Sequence, residues 1–302
     1  KVSIAKINEV TKANSKRVCG VVASSAAGGL LGIANINGAL AQPSFSSDYS
    51  LQLNGTNQYV NLGTLTNSDL QPTQASMDNT GFTMACWIYI DTVSAGEYIF
   101  SIAGSGQSNY YGYKFVVGGQ GPLVAHIFGL NGSTPGAGSN NRRSLRTANG
   151  SISAGQWYHV AWVIEAGSME PTINTNDWGL FINGSKVTSG LVASGNVNTN
   201  LSYINASNIG ATLRPSASAL LDGLMNNAAV WNSDLSDANI TAIYNSGTPI
   251  DLSTNAGNYT ESSNLIAWWR FNEGTGTSYT DSSTNSFTGS GVNTPTWSTN
   301  TP

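Results

Sequence analysis

From Phe82 to Ile90 the chain alternates without a slip: Phe82, Met84, Cys86, Ile88 and Ile90 interleave with Thr83, Ala85, Trp87 and Tyr89. Successive side chains on a strand point to opposite faces, so this period of two predicts a strand with one face in a core. Tyr158, Val160, Trp162 and Ile164 repeat the pattern in the other register. Trp178 to Ile182 then runs into Asn183-Gly184, a dipeptide suited to a two-residue hairpin because both positions tolerate positive φ. Further strands are predicted at 58–62, 98–102, 113–117, 123–128, 208–211, 220–231 and 265–271. The spacing supports one helix, with Ser236 as cap, Ile240, Ile243 and Tyr244 as its apolar stripe and Gly247 as its end. Many closely spaced strands with one short helix predict an all-β, two-sheet antiparallel sandwich.

Composition agrees. Of 302 residues, 40% are hydrophobic and only 9% charged, which excludes a disordered polyelectrolyte. No apolar run is long enough to span a bilayer as a helix, so membrane insertion is not expected. The charge is uneven. Residues 1–41 carry Lys1, Lys6, Lys12, Lys16 and Arg17 against Glu9 (5 − 1 = +4), and the remainder carries seven bases and fifteen acids (7 − 15 = −8). Five bases spread over seventeen residues without interleaved aromatics do not make a nucleic-acid interface.

The basic segment mimics a signal peptide, with Lys16-Arg17 before Val18 to Ile33 and a small Ala39-Leu40-Ala41, but serine and glycine dilute its apolar stretch. It reads instead as a degenerate extended repeat, Ile4-Ala5-Lys6-Ile7-Asn8, then Arg17-Val18-Cys19-Gly20-Val21, then Ile33 to Gly38. Such a strip has no core of its own and orders by adding strands to a neighbour. Residues 1–41 are therefore expected to be an assembly or anchoring arm, with Ile4, Lys6, Ile7, Lys16 and Arg17 as its contacts. Cys19 and Cys86 have no spacing that predicts a bridge, and Cys86 suits a buried thiol.

Several words now resemble the laminin-G-like jelly rolls of the concanavalin A-like class. They are Ser50 to Gly63, Phe82 to Ile88, Gly155-Gln156-Trp157-Tyr158-His159-Val160-Ala161, Leu180-Phe181-Ile182-Asn183-Gly184, and Leu221-Asp222-Gly223 through Val230-Trp231-Asn232. A further word, Asn264 to Gly276 followed by Asp281-Ser282-Ser283-Thr284-Asn285, resembles the segment that normally opens such a domain, yet here it comes last. The resemblance implies a circularly permuted jelly roll over residues 42–302, closed by 264–298. This tail together with the arm resembles virion proteins of tailed bacteriophages.

The chemical inventory is thin. Retaining glycanases need two carboxyls about 5 Å apart, yet none of the six glutamates sits in the class's E-x-D-x-x-E arrangement. Glu165 and Glu170, five apart, would face opposite sides of one strand. His126 and His159 have no second ligand at zinc spacing, and no Gly-x-Ser-x-Gly elbow occurs. Calcium is the metal the resemblance leaves open, with Asp222 and Asn226 as its candidates. Asn226 and Asn227 replace the class's acidic pair, which lowers ligand charge. For ligand binding, the candidates are Tyr110 and Tyr111, whose rings could stack on sugars, and the polar run Asn140, Asn141, Arg142 and Arg143.

The expectation is a non-catalytic virion surface protein, a capsid decoration or appendage component. It would sit on the virion exterior, contact other virion proteins through its arm, form a homo-oligomer and display a jelly roll for host-surface glycans. The alternative is a secreted, extracellular lectin or adhesion module, and a glycan-active enzyme comes third.

Overall fold

The computed structural model describes residues 20–21, 33–34, 45–63, 70, 74–93, 96–103, 112–128, 142–168, 175–195, 206–214 and 216–302. The chain divides into two compact units, 1–46 and 47–302. In the first, β1 (Gly20–Val21) and β2 (Ile33–Ala34) pair antiparallel, Gly20 opposite Ala34 and Val21 opposite Ile33. Both belong to the words read above as extended chain. The arm contacts Ile4, Lys6, Ile7, Lys16 and Arg17 lie outside the described residues.

The second unit begins with β3 (Ser50–Asn54), β4 (Tyr59–Gly63), α1 (Gln74–Thr80), β5 (Phe82–Ile90), β6 (Glu97–Ala103), β7 (Gly112–Val117) and β8 (Leu123–Phe128). It continues with β9 (Arg142–Arg146), β10 (Trp157–Ile164), β11 (Trp178–Ile182), β12 (Ser185–Lys186), β13 (Val192–Ser194), β14 (Ala206–Ile209), β15 (Thr212–Arg214) and β16 (Ser216–Ser218). It ends with β17 (Asp222–Trp231), α2 (Asp237–Tyr244), β18 (Leu265–Trp269), β19 (Ser278–Tyr279), β20 (Gly289–Val292) and β21 (Thr296–Ser298). Two antiparallel sheets result. The eight-stranded sheet runs β12-β11-β10-β5-β17-β3-β21, with β18 also on β17, and the nine-stranded sheet runs β13-β9-β8-β7-β6-β14-β4-β20-β19. This is the jelly-roll sandwich expected.

The alternating residues meet between the sheets. Met84, Cys86 and Ile88 of β5 with Val160, Trp162 and Ile164 of β10 face Tyr113, Phe115 and Val117 of β7 with Leu123, Ala125 and Ile127 of β8, all buried in one core. Phe115 and Trp162 touch across the gap, ring centroids 6.2 Å apart. Cys86 is buried and free, and burial pushes its thiol well above the usual range, so it acts as a small hydrophobe. Asn183 and Gly184 both have positive φ (50° and 74°), as the hairpin between β11 and β12 demands.

The C-terminal segment is built into both sheets. Strand β17 pairs along one side with β5, and along the other with β3 for its first half and β18 for its second. β3 and β18 therefore lie end to end against one strand. β21 pairs with β3, while β19 and β20 extend the nine-stranded sheet beyond β4. A carboxylate tethers this segment: Asp281 accepts from the backbone N–H groups of Trp268, Ser283 and Phe287 and from Ser283 Oγ.

Two helical details differ from expectation. α2 is capped by Ser236, whose hydroxyl accepts from Asn239 N at 3.2 Å, but it closes at Asn245 (φ 44°) rather than Gly247. Asparagine tolerates the left-handed cap conformation, so it ends the helix two residues early. α1 was not expected. Its seven residues carry no acidic first turn, and its signals are buried Met77 and Gly81 (φ 71°), whose N–H returns to the Met77 carbonyl.

Candidate functional site

The outer faces of the two sheets are different. Segment 232–262 lies over the outer face of the eight-stranded sheet, burying Leu235, Ile240, Ile243, Leu252 and Tyr259 there. Thr83 of that face donates to the Ser233 carbonyl and accepts from Leu235 N, Trp231 Nε1 donates to Tyr259 Oη at 3.1 Å, and Trp87 stacks on Tyr244 at 5.6 Å. His159 lies beside Trp87, with ring centroids 5.1 Å apart, and burial lowers its pKa to about 3. What remains beneath the segment is a cavity of about 10 Å³, room for a single water. A larger cleft of about 230 Å³ opens where Glu165 and Lys186 pair at 3.0 Å. There Asp234 accepts from Ala166 N, so two of its carboxylates are already engaged.

The nine-stranded sheet presents a polar band outward. Alternation sends Tyr113, Phe115, Leu123, Ala125, Ile127 and Leu145 inward, so their neighbours Lys114, His126 and Ser144 face out. Register aligns them across the sheet: Ser290 opposite Asn61, Asn61 opposite Asn208, Asn208 opposite Ser101, Ser101 opposite Lys114, Lys114 opposite His126, His126 opposite Ser144, and Ser144 opposite Ser194. Eight strands thus contribute eight polar side chains to one row, about 34 Å long at the spacing of paired strands.

The row is exposed at its ends, Ser290 and Ser194, and buried in its middle. There Thr212 of β15 accepts from Lys114 Nζ at 2.9 Å and from Ser101 Oγ at 3.3 Å. Lys114, 1% exposed, also lies over the rings of Tyr98 and Phe128 at 5.3 and 5.2 Å, a cation–π arrangement that compensates part of its desolvation. His126 sits 5.4 Å from the Phe128 ring, and its pKa is lowered to about 3 by burial, then by the charges of Arg142 and Lys114. Its imidazole is therefore neutral at pH 7, with Nδ1 unpartnered. Asn208 is fully buried and neither its amide nitrogen nor its amide oxygen has a partner. Buried orphan amides are costly, and at 0% exposure this one lies beneath the surface, out of reach of a ligand in solvent.

The expected ligand residues divide around this face. Tyr110, Tyr111, Asn140 and Asn141 lie outside the described residues. The strand ends that flank them in sequence, Gly112, Phe128 and Arg142, are register partners side by side at one end of the sheet. Arg142 is half-buried on the outer face, beside Phe128 and close enough to His126 to shift it. Arg143 is a correction. One step along β9 turns it inward, where it is fully buried, donates to the Ser168 carbonyl at 2.9 Å, approaches Asp177 at 4.0 Å and lies over Trp178. It braces the interior and cannot reach a surface ligand. Sequence reasoning missed Lys114, His126 and Asn208. Their signal is present, since each sits between inward hydrophobes at a period of two, but only register reveals that they align.

The calcium candidates do not come together. Asp222 and Asn226 are four residues apart on continuous β17, roughly 13 Å at strand rise, too far to ligate one ion. Asp222 instead faces Asp91, whose carboxyl is raised by burial and by that neighbouring charge. Asn226 is fully buried at the point where β3 and β18 meet. Its Nδ2 donates to the Tyr49 carbonyl at 2.7 Å, and its Oδ1 accepts from Ser47 Oγ at 2.9 Å and from Asn227 Nδ2. Asn227, at φ 47°, fills a bulge, takes Arg270 O on its N–H and accepts from Trp268 Nε1 at 2.8 Å. The amide pair staples the last segment of the sheet to the first. Among the described residues no group of three His, Cys, Asp or Glu side chains is placed to hold a metal.

Comparison with known proteins is consistent with this architecture. A laminin-G family model, described as the concanavalin A-like lectin/glucanases superfamily, matches residues 54–241. No match was found among curated proteins. Similar solved structures include a candidate carbohydrate binding protein from Bacteroides ovatus (14% identity, TM-score 0.49), covering 84% of this chain and 60% of that one. This chain therefore spans less than two thirds of that relative. The sialidase carbohydrate-binding module CBM40 of Ruminococcus gnavus, bound to α2,3-sialyllactose, is similar at 13% identity and TM-score 0.45, over 65% of this chain and 95% of that one. The heptameric SAP-like pentraxin of Limulus polyphemus is similar at 18% identity and TM-score 0.39, over 66% and 82%. The family match extends over well more than half of the sequence, and the protein belongs to the concanavalin A-like lectin/glucanases superfamily.

Proposed function

We propose that this chain is a non-catalytic surface protein of a virus particle, a capsid decoration or appendage component whose jelly roll binds host-surface glycans. The observation that carries the binding half is the accessible part of the polar row, exposed Ser290 and Ser194 with half-buried Asn61 and His126, and half-buried Arg142 beside it. Amides, hydroxyls and a neutral imidazole suit sugar hydroxyls. Non-catalysis is supported by the acids. Among the described residues the strands of this sheet carry one carboxylate, Glu97, which is buried and accepts from Asp222 N, whereas most glycoside hydrolases use a pair. The virion half rests on the basic arm against an acidic body and on the resemblance of arm and tail to phage virion proteins. Many copies on one particle would make weak sites effective through avidity.

A secreted lectin is the second reading, favoured by the family itself, and it would use the same face without needing the arm. Full-length protein and a version starting at Gln42 separate the two by solution mass and by binding to a glycan array, with calcium and with chelator. Loss of assembly on removing the arm supports the virion reading. Two monomers that both bind a defined sugar would establish the lectin instead. If neither version binds any glycan, the assignment of this face is wrong.

A further inference from the structure

Each sheet of the sandwich ends in two strands with one side unpaired, β12 and β21 in the eight-stranded sheet and β13 and β19 in the nine-stranded one. A free strand edge is a template for another strand, and folded proteins guard it with charge, proline or brevity. Three of these four edges are guarded. β12 and β19 are two residues long, β12 carries Lys186, and β21 follows directly on Pro295. β13 is the exception, since it lies in a run, 187–213, that holds no charged residue and no proline. Val192 on it is 45% exposed, the most exposed large hydrophobe among the described residues. Among those residues Val192, Ala193 and Ser194 make no hydrogen bond beyond their pairing with Arg146, Leu145 and Ser144 of β9.

The edge is complementary to itself. An antiparallel strand can pair with its own copy about a two-fold axis, the same patch serving on both sides. With Ala193 on the axis, its methyl meets the Ala193 of a second copy, and small residues there let the backbones approach. Val192 then lies opposite Ser194 of the second copy, and Leu191 opposite its Gly195. Each exposed valine gains a cover. Arg146, opposite Val192 on β9, is followed across the joint by Ser194 and Ser144 of the second copy, so no like charges become neighbours.

We infer that β13 is a self-pairing edge, on which a second copy of this chain docks antiparallel and joins the two nine-stranded sheets into one. Ser194 ends the polar row, so the two rows meet at the axis and the outer faces form a surface of double length. That bivalent use rests on the glycan-binding reading above, whereas the pairing does not. A three-residue edge buries far less than the roughly 1,200 Å² of a stable interface, so the free chain pairs weakly and crowded copies pair more.

The test is sedimentation velocity of the full chain from about 10 μM to about 1 mM, the range in which small interfaces associate. A monomer–dimer equilibrium is expected. Val192→Lys, which places a charge on the edge, should weaken the dimer at least about tenfold, with an unchanged thermal melt showing that it folds. A second variant reads the register. With Cys19→Ser as background, Ala193→Cys should form a disulfide-linked dimer on mild oxidation, because facing Cα atoms would lie about 5 Å apart. Thr188→Cys, equally exposed but off the strand, should remain monomeric in the same background. A chain that stays monomeric across the whole range overturns the inference. So does a dimer that Val192→Lys leaves intact and Ala193→Cys fails to link. A dimer that behaves as expected while the glycan array shows no binding upholds the pairing and removes the glycan reading alone.

Discussion

Asn226 donates to the Tyr49 carbonyl and accepts from Ser47, so a carboxylate in its place would set two acceptors against each other in a buried site. Asn226→Asp, which restores the acidity of the resembling family, is expected to cost about 2 kcal/mol in urea unfolding, and calcium should not recover it. His159 offers a second test at this scale. Its folded pKa is lowered to about 3 by burial, against an ordinary value near 6.5 in the unfolded chain. The unfolded state therefore binds the extra proton, and stability present above pH 6.5 is lost as pH falls toward 3. The slope is at most about 1.4 kcal/mol per pH unit for this group. The melting temperature of His159→Phe should fall less steeply than the parent's between pH 6.5 and 4. Sequence identified both residues but not their roles. A histidine in an alternating strand and an asparagine in a family word look alike whether they bind a ligand or brace a core, because their partners are 140 or more residues away in some cases.

At the scale of elements, the strands were legible because burial on one face imposes a period of two, and 123–128 emerged with the expected limits. Short α1 was not, since a single buried methionine and a closing glycine make no stripe. The joint between β17 and its neighbours depends on close approach: a Cβ on Gly223 (φ 147°) would lie 1.9 Å from the Tyr89 carbonyl oxygen, so this position admits only glycine. Likewise the turn between β18 and β20 is organised around one carboxylate. Asp281→Ala leaves three backbone N–H groups and a hydroxyl without their acceptor, and should lower stability by about 3 kcal/mol, read as a shifted urea midpoint with an unchanged slope. An unchanged midpoint would mean that solvent satisfies those donors.

For the whole molecule, the last forty residues decide whether the sandwich closes. They supply β18 and β21 to one sheet and β19 and β20 to the other, beyond the end of the family match at residue 241. A chain stopped after Ser263 should fail to fold cooperatively, losing its sharp thermal transition and its near-ultraviolet signal, because β17 and β3 each lose a paired neighbour and the core is opened. A retained cooperative melt would show that 47–263 suffices. Sequence by itself determined the all-β class, the core-facing residues, the hairpin turn and the charge contrast between arm and body, since each follows from local periodicity, turn chemistry or composition. Only the tertiary structure decided that Arg142 faces out while Arg143 is buried, that Asp222 and Asn226 are separated, and that eight polar side chains from eight strands form one row. The physical reason is register: hydrogen bonding between strands aligns residues that are distant in the chain, and a shift of one position would scatter the row and reverse every face.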